Sequence, residues 1–238
     1  MKAFSAIILA AGKGTRLKSP VPKPLVEING TPLIQPILDN CFALGCKNIC
    51  VVISEYTKAI KEHYPDPRIT YILTEPKGTG HGALVALPYV IGPAVLIAHA
   101  DDSFFYTQAT LRGILTQHEE DGSVCTCGVA TVTRPAAYSY VTSDSKNNLL
   151  ALHRTPVDRQ KLPPKDVFCG LYVAEITWLA STLPEITKPA EGEIPLPDIV
   201  LQALDKKQKI TVFHIPEKEW LGINTPEELA AARAQAAQ

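Results

Sequence analysis

Near the amino terminus the apolar run Ala6-Ile7-Ile8-Leu9-Ala10-Ala11 leads straight into Gly12-Lys13-Gly14-Thr15-Arg16. A glycine-rich turn after a buried strand can aim successive backbone N–H groups at phosphate oxygens, because glycine reaches the backbone angles such a turn needs. Thr15 adds a hydroxyl donor, while Lys13 and Arg16 add positive charge. The spacing fits neither the Walker loop nor the dinucleotide fingerprint, whose third glycine is replaced here by Leu17. The plain alternative is an ordinary turn between strand and helix, but G-x-G-T-R after a buried strand points to binding of a nucleoside triphosphate. Lys23 lies between Pro22 and Pro24, which hold its backbone extended. Such a cation beside a phosphate loop suits charge developing on a transferring phosphoryl group; a solvated loop lysine is its plain alternative.

Asp101 and Asp102 follow another apolar run. Adjacent side chains leave an extended backbone on opposite sides, so one of the two is expected to face a ligand. Magnesium takes one or two carboxylates plus substrate phosphates, so one aspartate and a second oxygen ligand elsewhere would suffice. The pair would otherwise cap a following turn. His81 and His99 flank the same rim, without the paired spacing of a zinc site, and read as polar wall residues rather than catalysts.

The elements that must position these residues alternate. Ser5–Leu9, Ile49–Ile53, Thr70–Thr74 and Ala94–Ala98 are aliphatic or β-branched runs of strand length, with helical patterns at Leu33–Leu44, Thr57–His63 and Gly80–Tyr89 between them. This order predicts an α/β, Rossmann-like, doubly wound sheet, mostly parallel but mixed. Ligands of such sheets bind at the carboxyl ends of the strands. The Gly12 loop, the Gly78-Thr79-Gly80-His81 turn and the Asp101-Asp102 pair then share one rim. In the second half, Ser123–Thr133, Leu149–Leu152 and Val167–Val173 read as strands, Asp144–Asn148 as a hairpin-like turn and proline-rich Thr155–Pro164 as a loop. They predict a small antiparallel extension over the site, continuous with the first half. The chain is expected to be one domain, with a nucleotide-binding half over 1–122 and an acceptor-binding half over 123–238. It closes with strand Ile210–Ile215 and a helix from Pro226, for which Thr225 is the N-cap and Glu228 completes a capping box.

Bulk properties exclude little that matters here. The 238 residues are 46% hydrophobic, enough for a core without metal or disulfide staples. Lys and Arg number 23 against 24 for Asp and Glu, so no basic excess points to nucleic acid or a membrane surface. The apolar run Phe4 to Ala11 is too short for a signal peptide core followed by a cleavage site, and no stretch approaches the ~20 residues of a membrane span. A cytoplasmic protein is expected. The six cysteines form no C-x-x-C pair and read as reduced, small hydrophobes. Homo-oligomerisation is left open.

Taken together, the motifs resemble the sugar-phosphate nucleotidyltransferase family, whose nearest branch is the uridylyltransferase acting on N-acetylglucosamine 1-phosphate. Leu9-Ala10-Ala11-Gly12-Lys13-Gly14-Thr15-Arg16 with Pro22-Lys23-Pro24-Leu25 is similar to the family's opening signature, and Gly78-Thr79-Gly80-His81 to its second nucleotide-contacting turn. Ala100-Asp101-Asp102 resembles the segment supplying a metal-binding aspartate, with Asp101 at the matching position. Gly192-Glu193 with Asp198 resembles a pattern from the sugar side. Trp220-Leu221-Gly222-Ile223-Asn224-Thr225-Pro226-Glu227 resembles the closing motif, where Asn224 takes the place of a second metal ligand. The resemblance spans nearly the whole chain and covers the pyrophosphorylase part of bifunctional relatives, so no acetyltransferase domain is expected.

The resemblance implies nucleotidyl transfer from a nucleoside triphosphate, UTP being favoured, to a sugar 1-phosphate with loss of pyrophosphate. It implies Leu9 to Thr15, Gly78 and Thr79 as nucleotide-binding, Arg16, Lys23 and Asp101 as catalytic, and Mg²⁺ on Asp101 and Asn224. Acceptor-binding falls to Ser139, His153, Phe168, Gly170 and Glu193. Yet Leu73 stands where many members place a base-reading glutamine, and Ser139, His153 and Phe168 replace a glycine, a glutamate and an asparagine. Neither leucine nor phenylalanine can hydrogen-bond a base edge or a hydroxyl. A cytidylyl or guanylyl donor, a non-sugar phosphate acceptor, or a nucleotide-binding regulatory protein of weak turnover are the competing readings.

Overall fold

A computed structural model describes residues 2–132, 139–153, 163–186 and 192–237. Strand β1 (Phe4–Leu9) lies at the centre of the sheet, between β4 (Ile49–Ile53) and β6 (Ala94–His99), parallel to both. Parallel β5 (Ile69–Leu73) ends the sheet beyond β4. On the far side β10 (Lys165–Glu175) runs antiparallel to β6 and to β7 (Cys125–Val132), and β11 (Ile210–His214) closes the edge parallel to β7. The order is β11-β7-β10-β6-β1-β4-β5. The antiparallel extension predicted for the second half is the hairpin of β8 (Tyr140–Ser143) and β9 (Leu149–His153), joined to the sheet through β10.

The unbroken apolar character of β1 follows from burial on both faces. Phe4, Ala6 and Ile8 belong to one core with Ile37 and Leu38 of α1 (Gln35–Ala43) and Leu111, Ile114 and Leu115 of α4 (Gln108–Asp121). Ile60 of α2 (Ala59–His63) joins the same core. Ile7, pointing the other way, joins Ala83 and Ala86 of α3 (Thr79–Ala86), Leu179 of α5 (Ile176–Thr182) and Val200 of α6 (Asp198–Asp205). Helix α7 (Pro226–Ala236) instead covers the small pair β2 (Glu27–Ile28) and β3 (Thr31–Pro32). Because β1 connects onward to β4 on one side while β6 flanks the other, the switch in strand order lies beside the carboxyl ends of β1 and β6, where open α/β sheets bind ligands.

Four features were not anticipated: α4, the β2–β3 pair, strand β8 and helices α5 and α6. Helix α4 had readable signals, since the Thr107 side chain accepts from Thr110 N and Gly122 ends the helix at φ 57°. Residues 155–162 of the expected proline-rich loop lie outside the described residues. All six cysteines are free, and no helix among the described residues is long and apolar enough to cross a membrane.

Away from the ligand rim, His118 of α4 is buried in a polar network. Its Nδ1 lies 3.0 Å from Thr126 Oγ1, which is 3.0 Å from both Ser123 Oγ and Thr211 Oγ1. Burial pushes the imidazole down to about 4. An unfolded histidine protonates near pH ~6.5, so below that pH the unfolded chain binds the extra proton and the folded chain resists it. The stability held by neutral His118 is therefore complete above pH ~6.5 and lost as pH falls towards the folded value, amounting to about 3 kcal/mol. Urea midpoints of wild type and His118→Gln, measured across this interval, should converge as pH falls; parallel curves would contradict the assignment.

Candidate active site

A cleft of about 570 Å³ opens at the carboxyl ends of β1 and β6. Leu9, Ala10, Ala11, Gly12, Lys13, Gly14, Thr15 and Arg16 all line it. The loop is anchored where it leaves the strand, by Ala10 N to Val52 O at 2.9 Å and Ser54 Oγ to Ala11 O at 2.8 Å. Beyond that, among the described residues, the backbone N–H groups of Gly12, Lys13 and Gly14 find no acceptor within the chain. The two glycines serve different purposes. Gly14 has φ 63°, and a Cβ there would stand 2.8 Å from Lys23 Cβ. Gly12 needs no left-handed backbone, and a Cβ on it would meet nothing within 4 Å, so it borders open cleft.

Four residues from distant parts of the sequence converge beside this loop. Lys23 Nζ pairs with Asp101 Oδ2 and donates to Asn224 Oδ1 at 3.1 Å. Arg16 donates from a terminal guanidinium nitrogen to the same Asn224 oxygen at 2.9 Å. Local structure explains the convergence. The capping box of α7 has Glu228 Oε2 accepting from Asn224 N at 2.6 Å and Thr225 N at 2.9 Å, which fixes Asn224 at the cleft. Leu17, Val26, Ile28, Leu33, Ile223 and Ala232 form one small core, so the residues flanking Arg16, Lys23 and Asn224 are packed together.

Asp101 and Asp102 sit on a turn after β6, not on an extended strand, with Asp102 N donating to His99 O at 3.4 Å. Their side chains still diverge. Asp101 faces the cleft, whereas Asp102 Oδ2 lies 3.5 Å from His99 Nδ1. Burial alone would push Asp101 up, but the Lys23 ammonium and His99 outweigh it and hold the carboxyl below its ordinary range. Burial and the neighbouring Asp101 charge push Asp102 up instead. The ligand atoms of His99, Asp101 and Asp102 lie within 4.8 Å of one another. The Asp101 carboxylate and the Asn224 carbonyl already converge on a cation, the Lys23 ammonium, and both are hard oxygen donors of the type Mg²⁺ accepts.

Gly78 and Thr79 line the same cleft, and their turn is bound to a strap formed by residues 192–196. Ile194 N donates to Lys77 O at 2.9 Å, Gly80 N to Ile194 O at 2.7 Å, and Leu196 N to Thr79 Oγ1 at 2.8 Å. The strap carries Glu193 into the cleft wall. Contact is so close that a Cβ on Gly78 would stand 2.5 Å from Ile194 O, and one on Gly80 2.8 Å from Ile194 Cγ2. These glycines are thus explained by the strap as much as by a ligand.

Of the five residues expected on the acceptor side, Glu193 lines the cleft and four lie outside its wall. His153 stacks on Tyr140 with ring centres 4.5 Å apart, and Ser139 immediately precedes that tyrosine. The Phe168 ring tilts against Tyr172 at 5.9 Å and packs on the core beneath α3, α5 and α6. Gly170, at φ 67°, belongs to an irregularity in β10 between Phe168 and Tyr172, and a Cβ there would stand 2.7 Å from the His99 ring. Leu73 is 58% exposed and also outside the wall. His99 lines the cleft, while His81 Nε2 lies 3.1 Å from Thr74 Oγ1. Sequence reasoning missed Pro24, Val52, Pro76, Gly82 and Pro195. The prolines carried a signal, since each lies within two residues of Lys23, Gly78 or Glu193 and offers a wall without an N–H donor.

Residues 6–161 match the family model of the MobA-like NTP transferase domain. The bifunctional protein GlmU of Heliobacterium modesticaldum is 32% identical over 235 residues, covering 97% of this chain and 51% of that protein. GlmU of Halalkalibacterium halodurans is 30% identical over 233 residues, covering 95% and 51%. GlmU of Desulfotalea psychrophila is 29% identical over 235 residues, covering 96% and 69%. The chain spans about half the length of most of these curated relatives. With a family match across most of the loop, turn and aspartate segments that build the cleft, the chain belongs to the MobA-like NTP transferase domain family.

Proposed function

We propose that the chain transfers a nucleotidyl group from a nucleoside triphosphate, UTP being favoured, to a sugar 1-phosphate, releasing pyrophosphate. The observation that carries this reading is the convergence of Arg16, Lys23, Asp101 and Asn224 beside a loop whose Gly12, Lys13 and Gly14 amides find no acceptor among the described residues. An oxygen of the acceptor phosphate attacks the α-phosphorus, a new P–O bond forms, and the bond to the pyrophosphate oxygen breaks. The attacking phosphate is anionic at neutral pH, so no general base is required. Catalysis comes from alignment and from neutralising charge on the phosphates.

The amides of the Gly12 loop and the Arg16 guanidinium hold the leaving pyrophosphate, and Lys23 bridges the phosphates. Asp101 and Asn224 hold Mg²⁺, which supplies charge neutralisation to the bound triphosphate. Gly78 and Thr79 position the nucleotide, and Glu193 faces the acceptor. The acceptor differs from N-acetylglucosamine 1-phosphate, because Phe168 cannot offer the hydrogen bonds of an asparagine, and His153, stacked on Tyr140, does not present the two acceptor oxygens of a glutamate. An array of four triphosphates against phosphorylated acceptors, scored by pyrophosphate release, tests both parts. Turnover is expected with UTP and a sugar 1-phosphate. Equal or better turnover with N-acetylglucosamine 1-phosphate refutes the acceptor reading, and release with no pair refutes the transferase reading.

A further inference from the structure

The position proposed for the metal already holds a cation belonging to the chain. Lys23 Nζ bridges Asp101 Oδ2 and Asn224 Oδ1, the two oxygens through which a divalent ion would be held. This lysine is 7% exposed, unusual for a residue type that is nearly always solvated. Its backbone is not extended, as the flanking prolines suggested, but opens a 3-10 turn at Lys23–Leu25 in which Val26 N donates to Lys23 O at 3.0 Å, and its Cβ leaves no room for a side chain at position 14. Arg16 places a second positive group on the same Asn224 oxygen. An ammonium and a divalent ion on the same two oxygens would repel strongly at such spacing, so the metal and the bridging ammonium exclude each other.

We propose that Lys23 is an internal counter-cation that competes with divalent metal for Asp101 and Asn224. Metal then binds weakly until a polyphosphate offers the ammonium another anionic partner. By linkage, metal and polyphosphate must strengthen each other's binding to the same degree. In the substrate-free protein the ammonium stabilises Asp101; on binding it moves to the phosphates as the metal takes its place. The inference rests on the metal assignment of the proposed function but concerns an equilibrium that needs no turnover.

Its test uses Mn²⁺ alone, with free ion followed by electron paramagnetic resonance on the nucleotide-free protein. Lys23→Met should bind Mn²⁺ about tenfold more tightly than wild type, within the usual range of coupling between sites. The double variant Lys23→Met/Asp101→Asn should lose that gain. A Lys23→Met protein with a wild-type melting curve and no tighter Mn²⁺ binding overturns the inference. A second measurement avoids dependence on a variant. In ¹⁵N-lysine-labelled wild type, the ammonium signal of Lys23 should shift or broaden as Mg²⁺ is added to saturation; an unmoved signal overturns the inference as well. Neither result bears on pyrophosphate release, so this inference and the proposed reaction can fail separately.

Discussion

Asp101→Ala is expected to lower pyrophosphate release by about a thousandfold, the loss seen when a preorganised charge contact to a transition state is removed. The carboxylate faces the cleft and is held low, the Lys23 ammonium and His99 together outweighing the burial that opposes its charge. Removing it takes away a ligand of the proposed metal and leaves Lys23 buried without its ion-pair partner. Stability should therefore fall too, by about 3 kcal/mol if the pair behaves as buried pairs do. The two effects are separated by measuring turnover per folded molecule, with circular dichroism reporting the folded fraction. Asp101→Asn, which keeps the shape and a weak oxygen ligand, should retain more stability than Asp101→Ala while losing most of the activity. Near-normal turnover by either folded variant would remove Asp101 from the mechanism.

Gly78→Ala should be the most damaging of the small substitutions. The residue has φ 97°, and the added methyl would stand 2.5 Å from Ile194 O and 2.7 Å from Ile194 N. Backbone lies on the far side of this contact, so neither partner can rotate away. Strain and clash together are expected to cost about 3 kcal/mol. Because the turn and the strap share three hydrogen bonds, moving one moves Glu193 with it. The Michaelis constants for triphosphate and acceptor should then rise together, although the substitution lies in the turn alone. Gly12→Ala supplies the contrast. Its methyl meets no protein atom within 4 Å, so stability should stay within about 0.5 kcal/mol of wild type. A Gly78→Ala protein with unchanged melting temperature and an unchanged acceptor constant would show that the strap does not depend on this contact.

Much of this architecture was legible in the sequence, for local physical reasons. Runs such as Ala6–Leu9 and Ile49–Ile53 are apolar on both faces, which only a strand covered on both sides requires, and the capping box at Thr225 and Glu228 is a pattern of near neighbours. The rim shared by the Gly12 loop, the Gly78 turn and Asp101 followed from the rule for carboxyl ends of parallel strands. Helix α4 escaped although its caps and buried face were present, because its mixed polar composition hid the periodicity.

What sequence could not decide were relations between residues far apart along the chain. Arg16 and Lys23 meet Asn224 across separations of 208 and 201 residues, through a core shared by the glycine loop and the closing helix. The turn at Gly78 and Gly80 reads as a nucleotide-contacting segment, and only the strap at 192–196 accounts for the missing side chains of its glycines. Gly170 likewise answers to the His99 ring that packs on it. Residue types and local spacing determined the strands, the loop and the class of chemistry, because those depend on neighbouring side chains and backbone angles. Tertiary structure alone decided that the loop's cation would stand between Asp101 and Asn224, because that position is set by how the two ends of the chain pack together.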